Sequence, residues 1–432
     1  MAKDLNAGQK IKLSDGSSVS VKKKLGEGGQ GAVYIVENSA GEKYALKWYT
    51  ASFLVDNDDF YRNLSEIAQR NPPADNFIWP KKLAIKQLGS YGYIMDLRPD
   101  GYNELGDFFR VSLHPEARFP NRQVQINAAL GIVNAFRRLH AVGLCYKDLN
   151  DGNFFINPRN GKVLICDNDN VTANNVKGVI GGKARYMAAE VVEGQAPNIQ
   201  SDIFSLAIIL YRIFMIDHPF EGQNTLKRCL TEDMQKKVYG KEMVFCFDPT
   251  VDINRPDKKN HTNSIYNWSA APKEMRDIFV KALGRKAVVY PGERVSELEW
   301  KKLLLKMRAS ILCCPTGKHD LIADATTVQC PRCKAPMKIS GTPAIRFADF
   351  DYLITPGKIF FINDELKYKG KGVVYEHNGV KETALKNCSG STWLLTTPSG
   401  RPKDIKDGEI FPLRSGMEIL FDATTRYQII IK

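Results

Sequence analysis

The N-terminal part of the chain carries a hydrophobic pattern typical of β-strands. Residues 19–25, 32–38 and 43–49 alternate apolar and polar positions or run apolar with β-branched and aromatic side chains, which predicts strands. Residues 58–70 instead repeat at helical spacing, and one face collects Phe60, Leu64, Ile67 and Ala68. Two prolines at positions 72 and 73 end this helix. The pattern therefore predicts a small β-rich lobe with one helix.

Helical periodicity dominates the middle of the chain. Residues 121–140 predict an amphipathic helix, and residues 202–216 are apolar almost all round, as in a buried helix. Further helices are predicted at 272–283 and 296–309. After Ser310, short apolar segments separated by Gly, Pro, Asn and Ser take over, so we place a boundary near residues 309–312. The expected fold class is α+β, with a helical lobe following the β-rich one and strands at the C-terminus.

Composition and charge narrow the class of protein. A length of 432 residues predicts about two to three domains, and 43% hydrophobic with 25% charged residues is typical of a globular protein. No apolar run reaches the roughly 18 residues that cross a bilayer, and residues 1–10 lack the apolar stretch of a signal peptide, so we expect a cytoplasmic protein without membrane contact. The net charge of +13 is compatible with nucleic-acid binding, but the basic residues form short, scattered runs. A solvated basic surface and no nucleic-acid partner are the better interpretation.

A glycine-rich segment lies between two predicted strands. Gly26, Gly28 and Gly31 can let a hairpin close over phosphates, because backbone N–H groups then approach the oxygens without a clash with Cβ. A dinucleotide-binding loop would be followed by a helix, whereas here a strand follows. The next strand carries Lys47, which is placed to hold phosphates, and such a lysine needs a carboxylate to orient it. Glu66 on the predicted helix is the preferred candidate, because the competing Asp58 and Asp59 lie at the helix start, where acids act as caps.

Acidic and amide residues at fixed spacing follow in the helical part. Asp148 and Asn153 have the D-x-x-x-x-N spacing of a phosphotransferase loop, in which the carboxylate accepts the proton of the attacking hydroxyl and the amide oxygen binds Mg²⁺. An Asx-rich turn is the alternative for this segment alone. The apolar strand 163–166 ends in Asp167, a second metal-binding candidate that a hairpin would return beside Asn153. The glycine-rich segment, Lys47, the D-x-x-x-x-N spacing and Asp167 follow one another in this order, and together they favour phosphoryl transfer.

These motifs resemble those of the protein kinase superfamily over roughly two thirds of the chain. The resemblance implies a bilobal fold with an N-terminal extension (1–18), a β-rich lobe (19–96) and a helical lobe (97–309), which binds ATP with Mg²⁺ or Mn²⁺ and phosphorylates a protein substrate. The catalytic positions it implies are Asp148, Lys47 and Glu66, with Asn153 and Asp167 as metal ligands. ATP contacts would come from Gly26, Gly28, Gly31, Val33, Ala45, Lys47, Met95, Asp96 and Arg98. Structural roles are implied for Glu190, Asp202 and Arg294.

Departures from the family pattern concern regulation more than chemistry. The usual H-R-D is Tyr146-Lys147-Asp148, and the usual D-F-G is Asp167-Asn168-Asp169. Asn150 and Lys183 replace a common Lys and a common Thr. Thr172 and Tyr186 are the only hydroxyl residues between positions 168 and 190, so we expect activity without activation-loop phosphorylation. An ATP-binding pseudokinase scaffold and a small-molecule phosphotransferase stay open as alternatives.

Four of the nine cysteines cluster between residues 313 and 333, whereas four others lie singly in the first 250 residues, which suits reduced thiols. Cys330 and Cys333 form a C-x-x-C knuckle, and His319 with Cys314 (or Cys313) would complete a tetrahedral Cys₃His zinc site. Four protein ligands leave no position for substrate, so the predicted zinc is structural. Unrelated thiols in a linker are the alternative. A zinc-ribbon-like module is thus expected over residues 310–342.

The last part of the chain, residues 343–432, predicts a small all-β sandwich with tight turns. Residues 387–421 are similar to the second half of a forkhead-associated (FHA) domain, although its phosphothreonine-reading elements are not evident. A generic β module is the alternative. The order kinase, ribbon, sandwich resembles bacterial kinases that are associated with a PP2C phosphatase and a von Willebrand A-type protein, so those two proteins are the implied partners.

Overall fold

The fold is taken from a computed structural model, which describes residues 4–50, 53, 58–176, 182–226, 231–324, 327–364, 367–422 and 424–432. The N-terminal lobe is an antiparallel sheet with strand order β1-β2-β3-β4-β6-β5. Its strands are β1 Lys10–Lys12, β2 Ser18–Gly28, β3 Gly31–Glu37, β4 Lys43–Tyr49, β5 Lys82–Gln87 and β6 Ser90–Asp96. Residues 10–12, which the sequence assigns to an extension, pair with β2 and form an edge of this sheet.

Helix α1 (Asp58–Ala68) packs on this sheet through the apolar face that its sequence predicts. Phe60 and Leu64 are buried in a cluster with Tyr49 and Tyr93 of the sheet, whereas Ile67 reaches the core of the second lobe. Burial of side chains of this size stabilises the fold by about 1.5–3 kcal/mol each. The helix is thus held between the two lobes.

The second lobe is helical, as predicted. Its helices are α2 Arg122–Ala141, α3 Ala189–Val192, α4 Ile199–Met215, α5 Glu232–Tyr239, α6 Thr262–Ala270, α7 Lys273–Leu283, α8 Arg285–Val289 and α9 Glu297–Ala309. Short strands form two small sheets on its upper side: β7 Asn103–Glu104, β9 Phe154–Ile156 and β10 Val163–Ile165 in one, and β8 Leu144–Cys145 with β11 Thr172–Ala173 in the other.

Helix α4 is the centre of this lobe, because apolar residues cover almost its whole circumference. Every residue from Ser201 to Met215 is buried. Asn198 caps its N-terminus and forms a reciprocal capping box with Ser201, which satisfies backbone N–H groups that a helix start leaves free. Helix α2, capped by Asn121, packs beside it in the same core. The loops between β8 and β11 pack on these two helices.

The C-terminal part is rich in strands. β12 Ile311–Cys313 and β13 Asp320–Ile322 form a hairpin, and two antiparallel sheets follow, with orders β15-β14-β23-β22-β19-β20 and β16-β17-β18-β21. Their strands are β14 Pro343–Arg346, β15 Asp351–Leu353, β16 Ile359–Phe360, β17 Gly370–His377, β18 Val380–Asn387, β19 Trp393–Thr396, β20 Pro402–Ile405, β21 Ile410–Pro412, β22 Glu418–Leu420 and β23 Arg426–Ile431. The two sheets share one apolar core around Trp393 and Phe411.

Polar contacts attach this C-terminal part to helix α9. Lys301 pairs with Asp364 at 2.7 Å. The buried Lys358 amino group donates to the carbonyl of Ala309 at 2.5 Å, and Arg308 donates to the carbonyl of Asn363. Within the described residues, none of the helices combines the length and the apolar character that a membrane span requires.

Candidate active site

The glycine-rich hairpin joins β2 to β3, with Gly26 opposite Val33 and Gly28 opposite Gly31. Gly31 is required for packing: a Cβ there would lie 2.1 Å from the carbonyl oxygen of Trp48 on β4. At Gly26 and Gly28 a Cβ would meet no atom within 4 Å, so these two glycines leave open space above the cleft. The hairpin can therefore approach a ligand through its backbone.

Apolar side chains line the cleft below the hairpin. Val33, Ala45 and Met95 come from three strands in which Ala45 pairs with Met95, and all three belong to one apolar cluster that also includes Leu97 and Cys166. The sequence predicts ATP contacts for the first three. This surface has the apolar character that a flat heteroaromatic ring requires.

The chain that leaves β6 crosses from the first lobe to the second. The Asp96 carboxylate is exposed and pairs with Lys81 at 2.7 Å. The Arg98 guanidinium lies 4.1 Å from the ring centroid of Phe155 on β9. Both side chains are thus engaged with protein groups, and the structure leaves only their backbone for the ATP contacts that the resemblance implies.

Lys47 lies at the centre of the cleft and is 6% exposed. Its ammonium group contacts Asp169 at 2.8 Å, Gln30 at 2.9 Å and Asp167 at 3.3 Å. Burial alone would lower the pKa of this amine, but the charges of Asp169 and Asp167 outweigh it and leave the pKa of Lys47 raised. The group is a permanent cation that faces the metal-ligand candidate.

Glu66 does not take the position that the sequence predicts for it. Its side chain is exposed on α1, and the carboxylates that contact Lys47 are those of Asp169 and Asp167. The face of α1 that points inward carries Phe60, Leu64 and Ile67, because the helix buries its apolar side. The expectation that Glu66 orients Lys47 is therefore corrected: Asp169 makes the short contact instead.

The loop between β8 and β9 carries the candidate base, Asp148. Asn150 donates its amide to one carboxylate oxygen at 2.9 Å, and Asn153 donates to the other at 3.2 Å. Burial raises the pKa of Asp148, and these two hydrogen bonds act in the opposite direction. A carboxylate held in this way is oriented and has more affinity for a proton than an exposed aspartate.

Asn153 and Asp167 are neighbours through the backbone. The amide N–H of Cys166 donates to the carbonyl of Asn153 at 2.9 Å. Asp167 itself has a left-handed conformation (φ 51°, ψ 49°), which turns the chain sharply at the end of β10. Because the Asn153 amide nitrogen is bonded to Asp148, its oxygen is the atom left for a cation. A carboxylate and an amide oxygen are hard ligands of the kind that Mg²⁺ prefers.

Asp202 on α4 supports the catalytic loop from below. Its carboxylate accepts from the backbone N–H of Tyr146 at 2.6 Å and of Lys147 at 3.0 Å. His140 contacts the same carboxylate at 3.3 Å. Lys147 has a positive φ of 72° and needs this support, since a non-glycine residue is strained there. The structure thus places Asp202, for which the resemblance implies a structural role, against the loop that carries Asp148.

Two further predicted residues form a buried ion pair below the activation segment. Both guanidinium nitrogens of Arg294 bond Glu190, each at 2.8 Å, and the Arg294 side chain is 1% exposed. Arg294 also donates to the carbonyls of Ala287 and Gln200. The pair therefore joins helix α3 to the segment that precedes α9.

Comparison with known families identifies the domain. The family model described as the protein kinase domain matches residues 19–297, which is more than half of the chain. The chain belongs to the protein kinase family. The match covers the sheet from β2 onward, helix α1 and the helical lobe up to the start of α9, and it includes the residues around Lys47, Asp148 and Asp167.

The relatives of this kinase domain come from bacteria, plants and animals. Probable serine/threonine-protein kinase PknB of Bifidobacterium longum is 25% identical over 220 residues, which cover 47% of this chain and 31% of the relative. Calcium-dependent protein kinase 9 of Arabidopsis thaliana is 30% identical over 207 residues (46% and 36%), and serine/threonine-protein kinase Nek1 of Mus musculus is 27% identical over 210 residues (46% and 16%). The chain thus spans well under two thirds of the length of each of these relatives.

A second cluster lies outside the kinase domain, in the segment that follows α9. The ligand atoms of Cys314, His319, Cys330 and Cys333 all lie within 4.8 Å of one another. His319 Nδ1 is 3.7 Å from the Cys314 sulfur and 3.8 Å from that of Cys330, and the Cys333 and Cys314 sulfurs are 3.9 Å apart. Of the two sequence candidates, the structure therefore selects Cys314, and Cys313 is exposed on β12.

Sequence reasoning missed three contributors to the kinase site: Asp169, Gln30 and Asn150. Gln30 is hidden among the glycines of the hairpin, and Asn150 is identified only as a departure from the family. Asp169 could have been suspected, because D-N-D places a second acid two residues after the metal-ligand candidate. Residues 177–181 of the activation segment, for which the sequence predicts no phosphorylation, lie outside the described residues.

Proposed function

We propose that this chain is an active ATP-dependent protein kinase that transfers the γ-phosphate to a serine or threonine hydroxyl. The observation that carries the proposal is the group formed by Lys47, Asp167, Asn153 and Asp148, which lies in one cleft under a glycine hairpin. Each member supplies a different requirement of phosphoryl transfer. The names of two of these relatives, both serine/threonine-protein kinases, support the choice of acceptor.

The roles of the residues follow from their surroundings. Asp148 is oriented by Asn150 and Asn153 and accepts the proton of the attacking hydroxyl, which its raised pKa favours. The oxygens of Asn153 and Asp167 would hold Mg²⁺, which neutralises charge on the phosphates when bound. Lys47 fixes the phosphates of ATP, and the glycine hairpin covers them. No side chain has to form a covalent bond.

Two contacts support activity without phosphorylation of the activation segment. The Lys147 ammonium donates to the carbonyl of Val176 at 2.6 Å and is buried, so this cation already holds the segment. Asn168, in place of the usual Phe, is fully buried and donates to the carbonyls of Ile78 and Ile165 at 2.8 and 2.9 Å. An essential phosphate between residues 173 and 185, located by mass spectrometry of active enzyme, would contradict this part of the proposal.

The test of the activity uses the whole chain with labelled ATP, Mg²⁺ or Mn²⁺, and a lysate. Wild type should label itself or lysate proteins, whereas Asp148→Asn should lose about 100-fold or more of the rate, because general-base catalysis contributes on this scale. Asp252→Asn, which removes an exposed carboxylate of the same lobe, is the matched control and should keep full activity. Binding of ATP without any transfer by wild type would instead support a pseudokinase scaffold, and labelling of small molecules alone would support the other alternative.

We also propose that Cys314, His319, Cys330 and Cys333 hold a structural zinc ion. Zinc–sulfur bonds of about 2.3 Å in a tetrahedron place sulfurs about 3.8 Å apart, which fits the 3.9 Å between Cys314 and Cys333. The hydroxyl of Thr316, 2.9 Å from the Cys314 sulfur, together with the backbone N–H groups of Thr316, Lys318 and His319, lowers the pKa of that thiol to about 5 and favours the thiolate that zinc requires. Metal analysis should find about one zinc per chain. Cys314→Ser should lose it, and the matched Cys313→Ser variant should keep it.

The C-terminal sheets fit the FHA-like module that the sequence suggests in one respect: two antiparallel sheets share a core. We propose that this module docks another protein. The proposal does not include phosphopeptide binding, because the phosphothreonine-reading elements of FHA domains are not evident in the sequence. The PP2C phosphatase and the von Willebrand A-type protein stay predicted partners. Co-purification of either with the full chain, and not with a chain that ends at residue 342, is the expected result.

A further inference from the structure

Three oxygen atoms surround the Lys47 ammonium, and they differ in what holds them. Gln30 belongs to the glycine hairpin, and the Asp167 side chain is 47% exposed to the cleft. Asp169 makes the shortest of the three contacts, 2.8 Å, and its side chain is only 1% exposed. Both Gln30 and Asp167 lie where nucleotide and metal must enter, so their contacts with Lys47 compete with ligand. The contact with Asp169 does not.

Strand β4 and Asp169 are fixed to each other at two points. Residues 47 and 49 project from the same face of the strand, since side chains alternate along it. The Tyr49 hydroxyl donates to the same Asp169 oxygen, Oδ2, at 2.5 Å, in a fully buried environment. Lys47 and Tyr49 thus contact the same carboxylate. Asn168, which directly precedes Asp169, is buried, and its side-chain amide donates to the carbonyls of Ile78 and Ile165.

Among the side chains of helix α1 that the structure describes, residues 59–68, none contributes a charge to this cluster. Its Glu66 is exposed, and the contact that the helix does make with the same segment comes from Asn63, whose amide donates to the carbonyl of Val171 at 2.9 Å. The helix therefore positions the backbone that follows Asp169, whereas the negative charges that contact Lys47 come from Asp167 and Asp169.

We propose that Asp169 is the positioning residue for Lys47, in the place of a carboxylate on the helix. The D-N-D segment then has two separate tasks: Asp167 would hold the metal, and Asp169 keeps the lysine aimed at the phosphates. The proposal rests on the phosphotransfer function above. It predicts that lysine placement depends on the activation segment and β4, and is insensitive to the charge at position 66.

The test is a double-mutant cycle in the full chain. Asp169→Asn keeps the shape of the side chain and removes its charge, and it should lower kcat/KM for ATP about 10- to 100-fold, the range of coupled buried pairs. Lys47→Met should cost at least as much, and the double variant should cost no more than Lys47→Met alone. Glu66→Gln should stay within about twofold of wild type. The pair Asp169→Asn with Asp148→Asn is the control and should be closer to additive, because the contacts of Asp169 (Lys47 and Tyr49) and those of Asp148 (Asn150 and Asn153) have no residue in common.

Other outcomes would overturn the proposal. Additive losses in the Lys47 cycle would mean that Asp169 acts independently of the lysine. A loss in Glu66→Gln equal to that in Asp169→Asn would return the role to the helix. A large rise in the Mg²⁺ concentration that Asp169→Asn requires, at unchanged KM for ATP, would make Asp169 a metal ligand. Melting temperatures of all variants identify any that lose folding, and for these Asp169→Gly, which restores the family residue, replaces Asp169→Asn.

A failure of the proposed function would be distinguishable. If wild type transfers no phosphate, the affinity of the same variants for a fluorescent ATP analogue with Mg²⁺ still measures the coupling. If Asp169→Asn weakens binding of the analogue in the wild-type background but has no further effect when Lys47 is already Met, the result supports the positioning role without catalysis. Equal affinities of wild type and Asp169→Asn would overturn it.

Discussion

The buried histidine below the catalytic loop makes the stability of the kinase domain depend on pH. His140, near the end of α2, contacts Asp202 of α4 at 3.3 Å and Glu297 of α9 through its other ring nitrogen. Burial alone would lower its pKa, but the two carboxylates outweigh burial and raise the pKa of His140 from 6.5 to about 9. The protonated ring is therefore the form that the fold binds.

The sign and size of the effect follow from linkage. Because the pKa is higher in the folded state, the contribution to stability is fully present below pH 6.5 and is lost as the pH rises through 9. At ~1.4 kcal/mol per pH unit, the rise from 6.5 to about 9 corresponds to at most about 3–4 kcal/mol. Such a loss is a large fraction of the net stability of a domain.

Urea unfolding of the full chain at pH 6.0, 7.5 and 9.0, followed by tryptophan fluorescence, measures this contribution. At pH 6.0 His140→Gln should be less stable than wild type, and this difference in unfolding free energy should shrink as the pH rises to 9.0. Glu297→Gln, which removes one of the two carboxylates, should move this change to lower pH. Equal slopes in wild type and His140→Gln would refute the reasoning, since the ring would then not be the titrating group.

Two further predictions concern neighbouring contacts. Asn150→Leu removes a hydrogen bond that lowers the pKa of Asp148, so the acid limb of the kcat/KM profile, where the base becomes protonated, should move to higher pH by about one unit; an unchanged limb would show that Asn150 does not tune the base. Glu190→Gln leaves the buried Arg294 guanidinium without its charged partner and should destabilise the domain by about 3–5 kcal/mol in urea unfolding. Adding Arg294→Met should recover part of that loss, and a cost below about 1 kcal/mol in the single variant would contradict a buried pair.

Local patterns explain why much of the architecture could be predicted. The glycine hairpin needs a strand on each side, and residues 18–28 and 31–37 are those strands. The apolar circumference of 202–216 predicted a buried helix, and α4 differs only by starting at Ile199, where Asn198 provides the cap. The D-x-x-x-x-N spacing is short enough that one loop carries both side chains. Each of these features depends on residues close together in the chain.

The missed features depend on contacts between distant residues. Glu66 has the right distance from Lys47 along the chain, but the rotation of α1 is decided by the burial of Phe60, Leu64 and Ile67, which turns position 66 outward. Asp169 contacts Lys47 although the two residues lie about 120 positions apart in the chain, and no hydrophobic periodicity in the sequence predicts a contact over such a separation. The choice between two adjacent cysteines likewise depends on the fold around them: Cys313 ends β12 with an exposed side chain, and the next residue, Cys314, is buried and faces His319.

Helix α9 shows why the chain does not divide cleanly at the end of the kinase domain. Its first residue, Glu297, contacts His140 and thereby the carboxylate that holds the catalytic loop. Its last residue, Ala309, is buried in the core of the C-terminal sheets, and its carbonyl accepts from the buried Lys358 amino group. Burial lowers the pKa of Lys358 well below its usual range, and a buried polar group that loses its hydrogen-bond partner costs about 1–3 kcal/mol. The C-terminal sheets therefore pack on helix α9, the same helix that supports the catalytic loop through His140. A chain cut near residue 309 would lose Lys358, the buried hydrogen-bond partner of the Ala309 carbonyl at the end of this helix.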